Sequence, residues 1–133
     1  MIIPNNLIRL EYNPVTDILV VEWPDIYSYT ISEANHTLQA IINAIKHYDV
    51  KKLLIDGRRT IIGIPQSEYE IILQNFSREL KDSRLKMVAR IESENATKEL
   101  QMKQLTSSFK QKATIDYQSF ASVSEALAWL EIN

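Results

Sequence analysis

Val50-Lys-Lys-Leu-Leu-Ile-Asp-Gly-Arg-Arg-Thr-Ile-Ile-Gly-Ile-Pro-Gln-Ser-Glu-Tyr-Glu70 is the stretch on which the reading of this chain turns. Lys51–Asp56 reads as a short strand with a charged head and an apolar body, Leu53-Leu-Ile55, buried on both faces. Asp56-Gly57 is turn chemistry. The loop that follows holds both glycines of the protein, Gly57 and Gly63. Ser67 with Glu70 three residues on is a capping-box signature and opens a helix, with Tyr69, Ile72, Leu73, Phe76 and Leu80 along one face.

Upstream, Leu7–Tyr12 and Asp17–Trp23 are strand-like, and Asn13-Pro-Val-Thr16 between them is turn-like. Together they predict an antiparallel hairpin with a loop of four or five residues. Ile18–Val21 is apolar on both faces, which suits a central strand. Thr30 with Glu33 makes a capping box for a helix whose apolar stripe runs through Ile31, Ala34, Leu38, Ile41, Ile42, Ile45 and Tyr48.

Downstream, Leu85–Ile91 is another strand. Glu94 to about Gln111 is a polar, helix-favouring segment with Leu100, Met102, Leu105 and Phe109 as its apolar residues. Ala113–Gln118 is a last short strand. Ser122 with Glu125 caps a closing helix that packs through Val123, Ala126, Leu127 and Leu130, with Trp129 at its flank. The order β-β-α-β-α-β-α-β-α predicts an α/β domain spanning 1–133, with a mixed, mostly parallel sheet of about five strands.

Composition narrows the functional classes. At 133 residues with 45% apolar and 24% charged residues, the chain is long enough to bury a core and is of ordinary globular composition. A net charge of −2 gives no reason to expect nucleic acid as a partner. The absence of cysteine excludes disulfides, thiolate metal sites and cysteine nucleophiles, and it fits a reducing, cytoplasmic setting. Met1–Asn6 has neither the basic nor the long apolar segment of a signal peptide, and no apolar run approaches the twenty or so residues of a membrane span.

No Gly-x-Ser-x-Gly elbow, phosphate-binding glycine loop or His-Glu-x-x-His motif occurs, so neither an enzyme nor a cofactor is expected. His36 and His47 stand ~16 Å apart along one helix, too far to share a metal. The candidate sites lie around the carboxyl end of the central strand. Asp56, Arg58, Arg59 and Thr60 occupy the position where open α/β sheets bind ligands, and paired arginines suit an anionic group; an ordinary solvated turn has the same composition. Ser67, at a helix start, is a phosphorylation candidate, or simply a cap. Trp23, Tyr27 and Tyr29 gather at the first strand-to-helix loop, as a partner- or ligand-binding cluster or as local packing.

Three features, Glu11-Tyr-Asn-Pro-Val-Thr-Asp-Ile-Leu-Val-Val-Glu-Trp23, Leu53-Leu-Ile-Asp56 and Phe120-Ala-Ser-Val-Ser-Glu-Ala-Leu-Ala-Trp-Leu130, resemble the small bacterial SpoIIAA-like proteins of the STAS superfamily (sulfate transporter and anti-sigma factor antagonist domains). The resemblance covers nearly the whole chain and rests on patterns of core and caps. It implies a regulatory, non-enzymatic module that binds a protein partner. The likeness of that topology to lipid-transfer domains implies, as an alternative, a small apolar or lipid-like ligand between sheet and helices. The phosphorylated Asp-Ser-Ser/Thr-Gly turn of the anti-sigma factor antagonists is absent here, where Asp56-Gly-Arg-Arg stands in its place.

Overall fold

A computed structural model describes residues 2–3, 8–92 and 115–132. Its main sheet has six strands: β1 (Ile2–Ile3), β2 (Leu10–Asn13), β3 (Ile18–Glu22), β5 (Lys52–Asp56), β7 (Met87–Ile91) and β8 (Asp116–Phe120), side by side in that order. The β1–β2 and β2–β3 pairs are antiparallel, and β3–β5, β5–β7 and β7–β8 are parallel. The fold is therefore α/β with a mixed, mostly parallel sheet. Two further strands, β4 (Ile26–Tyr27) and β6 (Ile62–Gly63), form a small parallel ribbon of their own. The helices are α1 (Ile31–His47), α2 (Gln66–Leu80) and α3 (Val123–Ile132). The helix expected over Glu94–Gln111 lies outside the described residues.

The hairpin closes through Pro14–Asp17, between the paired residues Asn13 and Ile18. Asn13 organises it, its carbonyl accepting from Asp17 N at 2.8 Å and its side-chain oxygen from Val15 N at 2.9 Å. β5 is central, with Leu53 and Leu54 no more than 1% exposed. Alternation along β5 divides the core in two. Leu53 and Ile55 face α1 and α2, together with Leu19, Val21, Ile41, Ile45, Tyr69 and Phe76. Leu54 faces α3, with Ile18, Ala89, Ile91, Ala126 and Leu130. Each fully buried Leu or Ile contributes about 1.5–3 kcal/mol, so the α1 stripe is what fixes that helix on the sheet.

The three expected capping boxes have different outcomes. Ser122 does cap α3, accepting from Glu125 N at 3.3 Å. Thr30 does not cap α1: its hydroxyl turns back to bond Tyr27, whose N–H reaches Thr30 Oγ1 at 3.2 Å. Ser67 does not cap α2. The helix starts two residues earlier than a Ser67 cap would place it, behind Pro65, whose carbonyl accepts from Glu68 N and Tyr69 N, both at 3.1 Å. Pro65 is pre-set for an extended N-cap, so Ser67 falls inside the first turn. Within the described residues the last strand is Asp116–Phe120, two residues past the expected end at Gln118, because its register is set by pairing Met87–Ile91 residue for residue; residues 113–114 of the expected strand lie outside the described residues.

Candidate functional site

Two loops meet beyond the carboxyl ends of β3 and β5. The first runs from Trp23 to Thr30 and the second from Gly57 to Pro65. Backbone and side-chain bonds sew them together. Trp23 N donates to Asp56 O at 3.0 Å, and Ile26 N to Ile61 O at 2.9 Å. The buried Thr60 hydroxyl donates to Trp23 O at 2.7 Å, and Asp25 Oδ1 accepts from Ile61 N at 2.8 Å. The β4–β6 ribbon then pairs Ile26 with Ile62 and Tyr27 with Gly63. Buried backbone groups need such partners, so the loops are held as one piece.

Asp56 and Arg58 form a closed unit. Asp56 Oδ1 accepts from Arg58 N at 3.1 Å and from Arg58 Nε at 3.0 Å, while Oδ2 accepts from Nη2 at 2.8 Å. The side-chain bonds from Arg58 hold the Asp56 carboxyl below the usual carboxylate range; burial opposes this, and the Arg58 N–H and the charges of Arg58 and Arg59 add to it. Arg58 is thus engaged within its own turn, and the two arginines do not form a pair of free guanidinium groups. Arg59 is exposed. Thr60 is a structural tie, 4% exposed.

The expected aromatic cluster is divided. Trp23 turns inward and meets Phe76 edge to face at 5.1 Å. Tyr27 and Tyr29 turn outward and stack, with centroids 5.3 Å apart and planes at 13°. Tyr27 in turn lies against Gly63: a methyl at that position would be 2.5 Å from Tyr27 Cδ1. The glycine is needed for this close approach and not for its backbone angles. Tyr29 is 82% exposed and Ile61 51%. Ser67, exposed in the first turn of α2, follows Gly63 by four residues in the chain.

Beneath the platform is a cavity of about 50 Å³ between α2 and the sheet, walled mainly by the carbon surfaces of Trp23, Tyr69, Phe76, Val88, Arg90 and Tyr117. Buried Arg90 donates from Nε to the Tyr117 hydroxyl at 2.7 Å. Burial pushes the Tyr69 hydroxyl well up, opposed by the nearby Trp23 N–H. That indole N–H is itself buried and, among the described residues, does not reach hydrogen-bonding geometry with an acceptor.

Among the described residues no three carboxylate or imidazole groups gather as a metal site, and no helix is long and apolar enough to cross a membrane. Comparison with protein-family models, with curated proteins and with solved structures finds no match.

The platform has members that the sequence does not mark as site residues: Asp25, Ile61 and Gly63, the last legible only as a loop glycine. The Ile-Ile-Gly-Ile run was a signal for a short strand, but two residues of pairing are too few for a period to register.

Proposed function

We propose that this chain is a non-enzymatic, SpoIIAA-like module of the STAS type that acts in the bacterial cytoplasm by docking a protein partner. The partner seats on the platform formed by the Trp23–Thr30 and Gly57–Pro65 loops. The observation that carries the reading is the β4–β6 ribbon. It ties the two loops into one rigid surface and presents Tyr29 and Ile61 to solvent, where exposed aromatic and aliphatic anchors suit a protein contact. Position beyond the carboxyl ends of parallel strands is the usual place for recognition in open α/β sheets. Arg59 and Tyr27 flank the anchors; Asp56, Arg58, Thr60 and Trp23 hold the surface in place.

The test compares capture by the wild-type chain with capture by Ile61→Asp, after circular dichroism has shown both folded. A defined protein retained by the first and lost from the second is expected. Identical capture by both, or self-association alone in sedimentation, refutes the reading.

The apolar cavity supports a second reading, a small apolar ligand. At about 50 Å³ it is well below the ~150 Å³ that holds benzene, so a lipid chain would need α2 to move. Native mass spectrometry of freshly purified protein tests this, with an added small mass expected and only the bare chain refuting it.

A further inference from the structure

We propose that the outer face of Tyr29 is the seat for an arginine side chain of the protein partner. The inference rests on the docking surface above and adds the chemistry of what docks there. Three observations carry it.

The first is pre-organisation. Tyr29 is 82% exposed, yet its ring is stacked on Tyr27 at 5.3 Å. Tyr27 is in turn braced against Gly63, and its N–H is bonded to Thr30 Oγ1. An exposed tyrosine normally gives up rotamer freedom on binding, and here much of that cost is already met in the free protein.

The second is charge. At the carboxyl end of the sheet, where Tyr29 lies, the chain from Glu22 to Glu33 has no lysine or arginine and carries the exposed carboxylates Glu22, Asp25 and Glu33; Glu11 is paired with Arg9, and Asp17 with Lys51 at the opposite end. Tyr29 sits within this acidic stretch. Glu33 follows it by four residues and is exposed in the first turn of α1.

The third is shape. One ring face is covered by Tyr27, which leaves a flat, electron-rich face outward. Such a face attracts cations, and a planar guanidinium stacks on it where a compact ammonium does not.

The competing charge is Arg59 on the second loop. Its neighbour Arg58 is neutralised by Asp56.

The experiment is a titration of the full chain with acetyl-arginine-amide, acetyl-lysine-amide and acetyl-citrulline-amide, followed by NMR at the Tyr29 ring and the Glu33 amide. Citrulline has the shape of arginine without its charge. Saturable shifts at both positions are expected with arginine, about two- to five-fold tighter than with citrulline and weakened by salt. Tyr29→Ala removes the shifts at Glu33, and Glu33→Gln weakens arginine while leaving citrulline unchanged. Equal shifts with citrulline, or arginine shifts that avoid Tyr29, overturn the inference. A partner lost on Ile61→Asp but kept on Tyr29→Ala overturns it too, while leaving the docking surface standing. Arginine binding at Tyr29 with no captured partner refutes the docking reading and, with it, the assignment of the arginine to a protein partner, while leaving Tyr29 as a guanidinium seat.

Discussion

At the amino end of β5 a cluster of polar side chains ties a short hairpin turn to the neighbouring strand, and at the carboxyl end two longer loops are tied to each other by backbone and side-chain bonds and leave Tyr29 and Ile61 outside. Asp17 and Asp49 both adopt left-handed backbone, with φ of 60° and 51°. Aspartate tolerates that region better than most residues because its side chain bonds locally. Asp17 accepts from the Tyr12 hydroxyl at 2.6 Å and pairs with Lys51 at 3.4 Å. Tyr12 itself is buried against Tyr48. This corner is satisfied from within. At the other end, long loops pair with each other through β4 and β6, and the groups left outward are Tyr29 and Ile61. The difference teaches where to look for recognition: the amino end exposes an aliphatic side chain, Val15, at its hairpin tip, while the carboxyl end gathers an aromatic and an aliphatic group on two loops that are tied to each other.

The largest expected effect is at Trp23, which joins the platform to the core. Trp23→Ala should cost about 3–5 kcal/mol in urea denaturation, the usual range for deleting a buried large aromatic. It should also enlarge the cavity beneath the platform. A cost below about 1 kcal/mol would mean that the carboxyl end is not anchored through this ring.

The amino end should reveal itself in alkali. Burial, then the hydrogen bond to Asp17, then the charges of Asp17 and Asp49 push the Tyr12 hydroxyl up to about 12. In the unfolded chain tyrosine ionises near 10. Between those values the unfolded state releases a proton that the folded state keeps. Stability is therefore whole below pH 10 and falls as pH rises toward 12. Tyr69, raised in the same direction at the other end, adds to the slope. Tyr12→Phe should flatten the decline, and denaturation midpoints from pH 9 to 12 measure it. An unchanged slope would remove Tyr12 from the corner's electrostatics.

Gly63→Ala comes next, because it drives a methyl into Tyr27. We expect a loss of about 1–2 kcal/mol, the cost of overpacking a site that can partly yield. The ring-current shifts of the stacked Tyr27 and Tyr29 should shrink with it. If the shifts survive, the stack does not depend on the glycine.

Much of the fold was legible because it rests on periods and long apolar faces. The hairpin, the two-sided burial of Leu53–Ile55, and the stripes of α1 and α2 all follow from patterns that span several turns or residues. The ribbon was not legible, since Ile26–Tyr27 and Ile62–Gly63 pair over two residues each. β1 was lost for the same reason. The capping boxes show how a local signature is overridden: Thr30 and Ser67 carry the same Ser/Thr-x-x-Glu spacing as Ser122, but Tyr27 N recruits the first and Pro65 starts the helix before the second. Of the site, the neighbourhood of Asp56 was readable from the strand end. The inward turn of Trp23 and the closure of Arg58 on Asp56 depend on contacts with residues distant in the chain or on loop geometry that no spacing encodes.

The smallest effects should come from one ion pair at each end, Lys51–Asp17 and Arg58–Asp56, and they sharpen the contrast best. Lys51→Ala removes a single 3.4 Å contact to Asp17, and Arg58→Ala removes two bonds to Asp56. Both cations are about half exposed, so each loss should stay under about 1 kcal/mol. The carboxyl groups should respond differently. Asp56 keeps its bond from the backbone N–H of residue 58 in the alanine variant, so the turn persists while the carboxyl moves back up toward the ordinary range. The depressed carboxyl stabilises the fold above that range and loses this contribution as pH falls through it, so the variant should be less acid-dependent than wild type. Carbon-detected NMR titration of Asp56 reads the shift directly. An unmoved Asp56 in Arg58→Ala would mean that the turn backbone, and not the guanidinium, fixes this end of the sheet.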